Sequence, residues 1–244
     1  MSSTTTRYRA ATLGVLTALL VGTAASTSGA PAPRLDSALR DLDLAASANP
    51  SAADPVVADD AFSADVASRR RVVKSDVTAT GSATCDGCDA ESTALQVLYV
   101  SRTQEARLDN TAVAWTQSCK DCIATALSVQ VVAMTGVPSM VPNNRALALN
   151  ADCVSCQVAG AAYQVVVSSP PGDRLSRNTV AALRAWVAKQ AEQLRLSAGT
   201  PQLSGAGRRV QKGADAALSD LEALVTSDLG GTTVSSDVQL SPAG

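Results

Sequence analysis

The chain has 244 residues, a formal net charge of −2, six cysteines and no histidine, and only 2% of its residues are aromatic. This length accommodates one or two small domains with terminal segments. The absence of histidine excludes a Ser-His-Asp triad, a Cys-His dyad and an HExxH zinc site within the chain. The nearly balanced charge gives no indication of a nucleic-acid partner.

Residues 1–30 have the pattern of a secretory signal peptide. Arg7 and Arg9 form a positive n-region, residues 10–21 are mostly apolar, and small residues follow. The apolar stretch is shorter than the roughly 20 residues that span a bilayer, and no cysteine for a lipid anchor lies nearby. We therefore expect a secreted or cell-envelope-associated protein, whose contact with a membrane is limited to the signal segment if that segment is not cleaved.

Residues 31–71 are predicted to form an acidic, disordered tether. Residues 31–68 contain seven aspartates and two arginines, and they offer few large apolar side chains for a core. Arg69, Arg70 and Arg71 end this segment. We interpret the triplet as a solvated charge cluster, with a site of proteolytic processing as the alternative.

An internal repeat of 34 residues follows in residues 72–170. Three Cys-x-x-Cys motifs recur at this spacing, each followed by a Gln-Val pair and each preceded, nine residues before its first cysteine, by Asp or Asn. The repeated cysteines are Cys85, Cys88, Cys119, Cys122, Cys153 and Cys156, the glutamines are Gln96, Gln130 and Gln164, and the preceding residues are Asp76, Asn110 and Asn144.

Segments rich in β-branched residues flank each cysteine motif and predict β-strands. Each unit is interpreted as a strand, a Cys-x-x-Cys turn and a second strand, in an antiparallel arrangement. Alanine-rich residues 123–127 and 157–162 leave a partly helical alternative open. Trp115 and Tyr163 are expected to be packing residues, and equivalent glutamines on aligned strands are expected to hydrogen-bond to one another or to buried backbone groups.

Two amphipathic helices are predicted within residues 171–230, over about 178–196 and 209–228, with a linker near residues 197–207. Ser176 or Asn178 is expected to cap the first helix. Residues 234–238 resemble residues 73–77, so residues 231–244 are predicted to form a strand beside the first repeat, or a tail. The predicted fold class is therefore α+β, with an antiparallel β repeat region followed by two helices.

The cysteine pairs are interpreted as disulfides, because the cysteines of exported proteins are usually oxidised. A four-residue turn brings its ends close enough for a bond within each motif, and pairing between stacked units is the alternative. Two other chemistries stay open. One is a thiol–disulfide oxidoreductase or chaperone, and the other is a zinc-binding module made of thiolates.

Repetition without a recognisable catalytic constellation predicts a non-enzymatic structural or binding protein. We assign no catalytic residue, no metal ligand and no cofactor from the sequence. The partner is expected to be a protein or another component of the cell envelope, and not nucleic acid.

The repeat unit also resembles a group of secreted repeat proteins from high-GC Gram-positive bacteria. The third unit, with Asn144, Cys153, Cys156 and Gln164, carries this resemblance best, and it covers about residues 72–168. The resemblance implies export but no particular activity. Some members of the group are labelled peptide zinc metalloproteases, and this chain lacks the HExxH motif on which that activity would depend.

Overall fold

The computed structural model describes residues 42–137, 139–198 and 206–242. Contacts between Cα atoms divide the chain into residues 1–40 and residues 41–244, and all described residues belong to the second unit. The predicted signal peptide at residues 1–30 lies outside the described residues.

Strands and helices follow one another along the second unit in a regular order. They are β1 (Leu44–Ala48), β2 (Val56–Ser68), β3 (Val72–Ala83), β4 (Asp89–Ser101), β5 (Glu105–Gln117), β6 (Ile123–Thr135), β7 (Ser139–Ala151), β8 (Gln157–Ser168), α1 (Arg177–Ala198), α2 (Ala206–Leu229) and β9 (Thr232–Pro242).

The strands form two sheets that face each other as a β-solenoid. Sheet 1 has the order β1-β3-β5-β7, and sheet 2 has the order β2-β4-β6-β8-β9. Every strand pair is parallel except β8 with β9. One odd-numbered strand and the even-numbered strand that follows it make one coil, and each coil pairs with the next.

The α+β class, the repeat of about 34 residues and the two C-terminal helices are confirmed, whereas the antiparallel arrangement is wrong. The physical reason lies in the Cys-x-x-Cys turns. Each turn leads the chain from one sheet into the other, so the strands that flank it lie in different sheets and do not pair. Each strand pairs instead with its equivalent in the neighbouring unit, which runs in the same direction. The alanine-rich segments at 123–127 and 157–162 are strands, within β6 and β8.

Sheet 2 keeps the register that the sequence repeat predicts, but sheet 1 departs from it once. Asn110 pairs with Val77, and Asp76 pairs with Asp109. The difference arises because β5 has 13 residues where β3 has 12, so one extra residue precedes Cys119. The predicted equivalence of Asp76 and Asn110 is therefore wrong, and the Asp76 side chain lies on the exposed face of the sheet.

A further coil precedes the first cysteine unit. β1 and β2 pair in parallel with β3 and β4. Pro55 takes the place of the second cysteine, because its carbonyl oxygen accepts a hydrogen bond from Asp89 N–H at 2.8 Å, just as that of Cys88 accepts one from Ile123. The disorder predicted for residues 31–71 is therefore wrong for residues 44–48 and 56–68.

The solenoid interior is narrow beside the cysteine turns and wider at the opposite corner. Apart from two valines, the buried apolar residues near the cysteine turns are alanines and cysteines, whereas leucine, valine and methionine dominate near the other corner. A Cβ atom at Gly81 would lie 2.5 Å from the carbonyl oxygen of Thr125 in the facing sheet. Small side chains are therefore required where the sheets approach each other.

The helices cover the outer face of sheet 2. Leu183 of α1 and Leu221 of α2 pack with Val129 and Val165 in the largest apolar core. β4, β6 and β8 are consequently buried on both faces, which accounts for their nearly continuous apolar sequences. Tyr163 packs edge-on against Trp186 with ring centroids 5.2 Å apart, as expected for a packing residue. None of the described helices is long and apolar enough to cross a membrane.

The ends of the helical region are closed by local contacts. The Ser176 hydroxyl oxygen accepts a hydrogen bond from Thr179 N–H at 3.2 Å, which confirms the predicted cap of α1. β9 pairs with β8, so the C-terminal strand lies beside the third cysteine unit. Its predicted position beside the first unit is wrong.

Replacing Gly81 with Ala tests the narrow part of the interior. We expect Gly81→Ala to lower the free energy of unfolding by about 1–3 kcal/mol, since the added methyl group meets rigid backbone. Urea unfolding measures the change. Gly213→Ala on the exposed side of α2, where a Cβ meets no atom within 4 Å, should instead raise stability by about 0.5–1 kcal/mol. Equal effects of the two substitutions would contradict this packing.

Candidate functional site

The three repeated glutamines form a hydrogen-bonded row inside the solenoid. Gln164 Nε2 donates to Gln130 Oε1 at 2.7 Å, and Gln130 Nε2 donates to Gln96 Oε1 at 3.1 Å. Gln96 Nε2 in turn donates to the carbonyl oxygen of Leu42 at 2.5 Å. All three side chains are at most 2% exposed. The buried side-chain amides therefore find their hydrogen-bond partners in one another and in the backbone. The row is inaccessible from solution.

Asn110 and Asn144 form a second, shorter row next to the glutamines. Asn110 Nδ2 donates to Asn144 Oδ1 at 2.7 Å and to the carbonyl oxygen of Tyr163 at 2.9 Å. The Ser128 hydroxyl donates to Asn110 Oδ1 at 2.5 Å. Asn144 Nδ2 donates to the carbonyl oxygen of Asp237 at 3.0 Å, so β9 closes this row.

The two rows connect sheet 1 with sheet 2 through the middle of the interior. Apolar clusters lie on both sides of them. A buried amide without a partner costs free energy, and a register slip of one residue would turn these side chains to the opposite face. The hydrogen bonds between the repeated amides therefore favour this register of the coils.

The six cysteines stack along one corner, and each pair is bonded within its own motif. The Cα atoms are 5.4 Å apart in Cys85–Cys88, 6.3 Å in Cys119–Cys122 and 5.8 Å in Cys153–Cys156. These separations lie in the usual range for disulfides. Each motif connects two strands, whereas redox-active Cys-x-x-Cys motifs lie at the N-terminus of a helix. The Cα separations are therefore compatible with a disulfide within each motif.

Stacking also brings sulfur atoms of neighbouring coils together. Cys119 Sγ lies 3.4 Å from Cys153 Sγ and 3.7 Å from Cys156 Sγ. Within the described residues, no carboxylate or further cysteine joins this group of three. A structural zinc ion takes four ligands, and cysteine binds zinc only as a thiolate, so these three disulfide-bonded cysteines do not make a zinc site. What the proximity does allow is thiol–disulfide exchange between neighbouring coils after reduction.

The outer face of sheet 1 is open over the described part of the chain, and one half of it is apolar. Trp115 is 40% exposed, and Leu147 and Leu149 are 44% and 49% exposed. Trp115 pairs with Leu149, and Val113 pairs with Leu147, across β5 and β7. We call these four residues the apolar patch. The interpretation of Trp115 as a packing residue is wrong, because it shares the outward side of β5 with Arg107 and Asp109.

Polar side chains occupy the other half of this face. Thr78 pairs with Thr111, and Asp76 pairs with Asp109. Arg145 forms an ion pair with Asp109 at 3.1 Å. The repeated cysteines and glutamines do not lie on this face, so the repeat motifs did not predict it. The signal that defines it is the strict alternation of buried and less buried residues along β5, which separates the inward alanines from the outward side chains.

A cleft between sheet 2 and α1 contains several carboxylates. Its volume is about 370 Å³, and Asp60, Glu91, Glu192 and Arg184 are among the residues that line it. Burial raises the pKa of Glu91, and the nearby Asp60 raises it further, whereas Arg195 opposes the shift. Arg195 forms an ion pair with Asp89 at 2.9 Å, so its charge is shared.

Comparison of the chain with protein-family models, curated proteins and solved structures found no match. The resemblance to secreted repeat proteins of high-GC Gram-positive bacteria therefore stays a prediction.

Interrupting the glutamine row should destabilise the fold. We expect Gln130→Leu to lower the free energy of unfolding by about 1–3 kcal/mol, because Gln96 and Gln164 each lose a buried partner. Chemical denaturation measures this loss. Gln117→Leu, the same change at an exposed position of β5, serves as the control and should alter stability by less than about 0.5 kcal/mol. A Gln130→Leu variant as stable as the native chain would contradict a contribution of the glutamine row to the stability of the coils.

The raised pKa of Glu91 predicts a pH-dependent stability. The folded state favours the protonated carboxyl of Glu91. The stability that this preference contributes is fully present below the pKa that Glu91 has in the unfolded chain, and it is lost as the pH rises through the raised pKa of the folded state. Glu91→Gln should therefore raise the thermal midpoint at about pH 7.5, and the difference should shrink near about pH 4. A difference in thermal midpoint that does not change with pH would show that the effect of the substitution does not come from the titration of Glu91. Asp54→Asn at the exposed β1–β2 turn is the matched control.

Proposed function

We propose that the protein is an exported, non-enzymatic structural or binding protein of the cell envelope or extracellular space. The observation that supports this proposal most is that one sheet is covered by helices while the outer face of the other is exposed. Among the described residues, the repeated polar side chains are buried in hydrogen-bonded rows, and the helices cover sheet 2. No described element covers the outer face of sheet 1, where Trp115, Leu147 and Leu149 are exposed. We assign partner binding to this open face.

The three disulfides support the export part of the proposal. Disulfides persist in oxidising compartments outside the cytosol. Each closes a short loop, which contributes on the order of 2 kcal/mol in the chain-entropy model. They strengthen the corner where the interior contains mainly alanine and cysteine and therefore buries little apolar area per residue.

The open face also defines the chemistry of the partner. The apolar patch favours a complementary apolar surface, since contiguous exposed apolar residues of this kind mark interaction sites. Beside it, Thr111 and Asp76 offer hydrogen-bonding groups on the same face of the sheet. A protein of the envelope that presents apolar side chains bordered by hydrogen-bond donors fits both halves of the face.

A thiol–disulfide oxidoreductase is the second candidate. The observation in its favour is the 3.4 Å separation of Cys119 Sγ and Cys153 Sγ, which would permit exchange between adjacent coils. Both candidates predict export, and they differ in how easily the cysteines are reduced.

Expression of the full chain in a secreting bacterial host tests export and redox state together. We expect an exported product whose N-terminus lies after residues 24–30, with all six cysteines bonded within their motifs on mass mapping. The disulfides should have reduction potentials below roughly −300 mV, and the protein should not catalyse the reduction of insulin. Retention inside the cell would contradict export, and insulin reductase activity would favour the oxidoreductase.

Substitutions on the open face test the binding role. Replacing Leu147 and Leu149 with Ser should lower the share of protein retained on the envelope of the producing cells by at least about fivefold, because the partner loses apolar contact area. Val154→Ser in the third cysteine turn, where Val154 is 62% exposed outside the face, is the control. Equal retention of the native chain and the face variant would exclude sheet 1 as the binding surface.

A further inference from the structure

A pocket of about 300 Å³ opens between the two helices and the part of sheet 2 that they cover. Ala161 and Tyr163 of β8 and Leu240 of β9 line it from the sheet, and Leu194 of α1 and Ala214 of α2 line it from the helices. We call it the helix pocket. Because four elements contribute to it, the pocket is part of the layer that joins the helices to the solenoid.

The lining of the helix pocket is mainly apolar, and none of its described residues is charged. Pockets that bind small molecules usually combine an apolar lining with a few polar groups that orient the ligand. A charged ligand would lose its hydration here without gaining an ionic partner from the lining. The composition of the lining therefore favours a neutral ligand.

The hydroxyl group of Tyr163 is a buried polar group without a partner. Tyr163 is only 4% exposed, and its hydroxyl forms no hydrogen bond with another described residue. The hydroxyl of Tyr99, by contrast, accepts a hydrogen bond from Leu175 N–H at 3.0 Å. Burial, with a smaller contribution from Asp215, raises the pKa of Tyr163 to about 12. The O–H group therefore stays protonated at neutral pH and is free to donate to a ligand.

Two polar groups of α1 lie in the same layer and also lack partners. Gln190 lines the pocket and is 8% exposed, and its side-chain amide forms no hydrogen bond within the described part of the chain. Trp186 lies one turn earlier on the same face of α1, and its buried Nε1–H has no partner either. The Trp186 ring packs edge-on against Tyr163. Buried polar groups usually have partners, so their concentration where α1 faces β8 points to a ligand.

We propose that the helix pocket binds a small neutral molecule with an apolar body and one hydroxyl or carbonyl oxygen. This oxygen accepts a hydrogen bond from Tyr163 O–H, and the Gln190 amide offers a further donor from α1. An apolar cavity of roughly 150 Å³ holds one molecule of the size of benzene, so the helix pocket has room for a ring or short chain that carries the oxygen. The site lies on the helix-covered side of the solenoid and does not rest on the proposed function.

Titration of the full chain with three matched compounds, followed by NMR chemical shifts, tests the site. The compounds are 2-phenylethanol, ethylbenzene and phenylacetate, which share a phenyl ring and differ in the group at the end of a short chain. We expect saturable binding of one 2-phenylethanol per chain, with shift changes at the residues of the helix pocket. Phenylacetate should bind at least about tenfold more weakly at neutral pH, because its carboxylate finds no ionic partner in the lining.

Tyr163→Phe removes only the hydroxyl group. It should weaken the binding of 2-phenylethanol by about threefold to tenfold and leave that of ethylbenzene within about twofold. Because this hydroxyl has no partner in the protein, the variant should be at least as stable as the native chain in urea unfolding without ligand. Tyr99→Phe is the matched control. It removes a hydroxyl that accepts a hydrogen bond from Leu175 N–H, so it should lower stability and leave the affinity for 2-phenylethanol within about twofold.

Three outcomes would overturn the proposal. The first is the absence of saturable binding of 2-phenylethanol to the native chain, which is also the result expected if residues 199–205, which join α1 to α2, occupy the pocket. The second is an equal effect of Tyr163→Phe on 2-phenylethanol and ethylbenzene, and the third is equally tight binding of phenylacetate. If Tyr163→Phe does not fold, Gln190→Leu decides the question, since it should also weaken the binding of 2-phenylethanol by about threefold to tenfold and spare that of ethylbenzene.

Discussion

Successive coils stack at the roughly 4.8 Å spacing of paired β-strands, and this spacing decides how every repeated side chain behaves. A residue that recurs in the sequence meets its own copy in the next coil. Amides tolerate this arrangement because each one both donates and accepts, and Gln96, Gln130 and Gln164 are linked in this way. Cysteine tolerates close stacking because its side chain is small and forms a disulfide within its own turn. Like charges repel at this spacing, and in the described coils the sheet places them side by side only on its outer face, as at Asp76 and Asp109.

The stability of the molecule is divided between two kinds of packing. Inside the solenoid, close approach of the sheets limits the side chains near one corner to Ala, Gly, Cys and a few residues of similar size. Such side chains bury little apolar area, so the amide rows and disulfides contribute much of the order there. Outside sheet 2, Leu183, Leu221 and Val225 supply a larger apolar core. The helices are therefore part of the same folding unit as the coils.

The repeat, the helices and the cap at Ser176 could be predicted because each leaves a local signal in the sequence. The direction of the strands could not, since a turn between strands of one sheet and a turn between two sheets share the same residues. The coil before the first cysteine could not be predicted because it lacks the Cys-x-x-Cys motif and the Gln-Val pair that mark the other units; Pro55 stands in place of the second cysteine. Asp76 was misplaced by a single added residue in β5. The outward position of Trp115 follows from the alternation along β5, whereas the approach of Arg102 to Arg69 depends on stacking, which a linear pattern does not contain.

β9 also determines where growth of the solenoid ends. A second molecule that stacked its first coil onto the last one would have to pair in parallel with β8, but β9 already occupies that edge in the opposite direction. On sheet 1 the corresponding edge strand is β7, and Pro142 within it lacks an N–H group to donate. Head-to-tail stacking of identical units generates open-ended filaments. The antiparallel strand and the proline together disfavour such polymerisation, so that a fold built by repetition stops at a defined length.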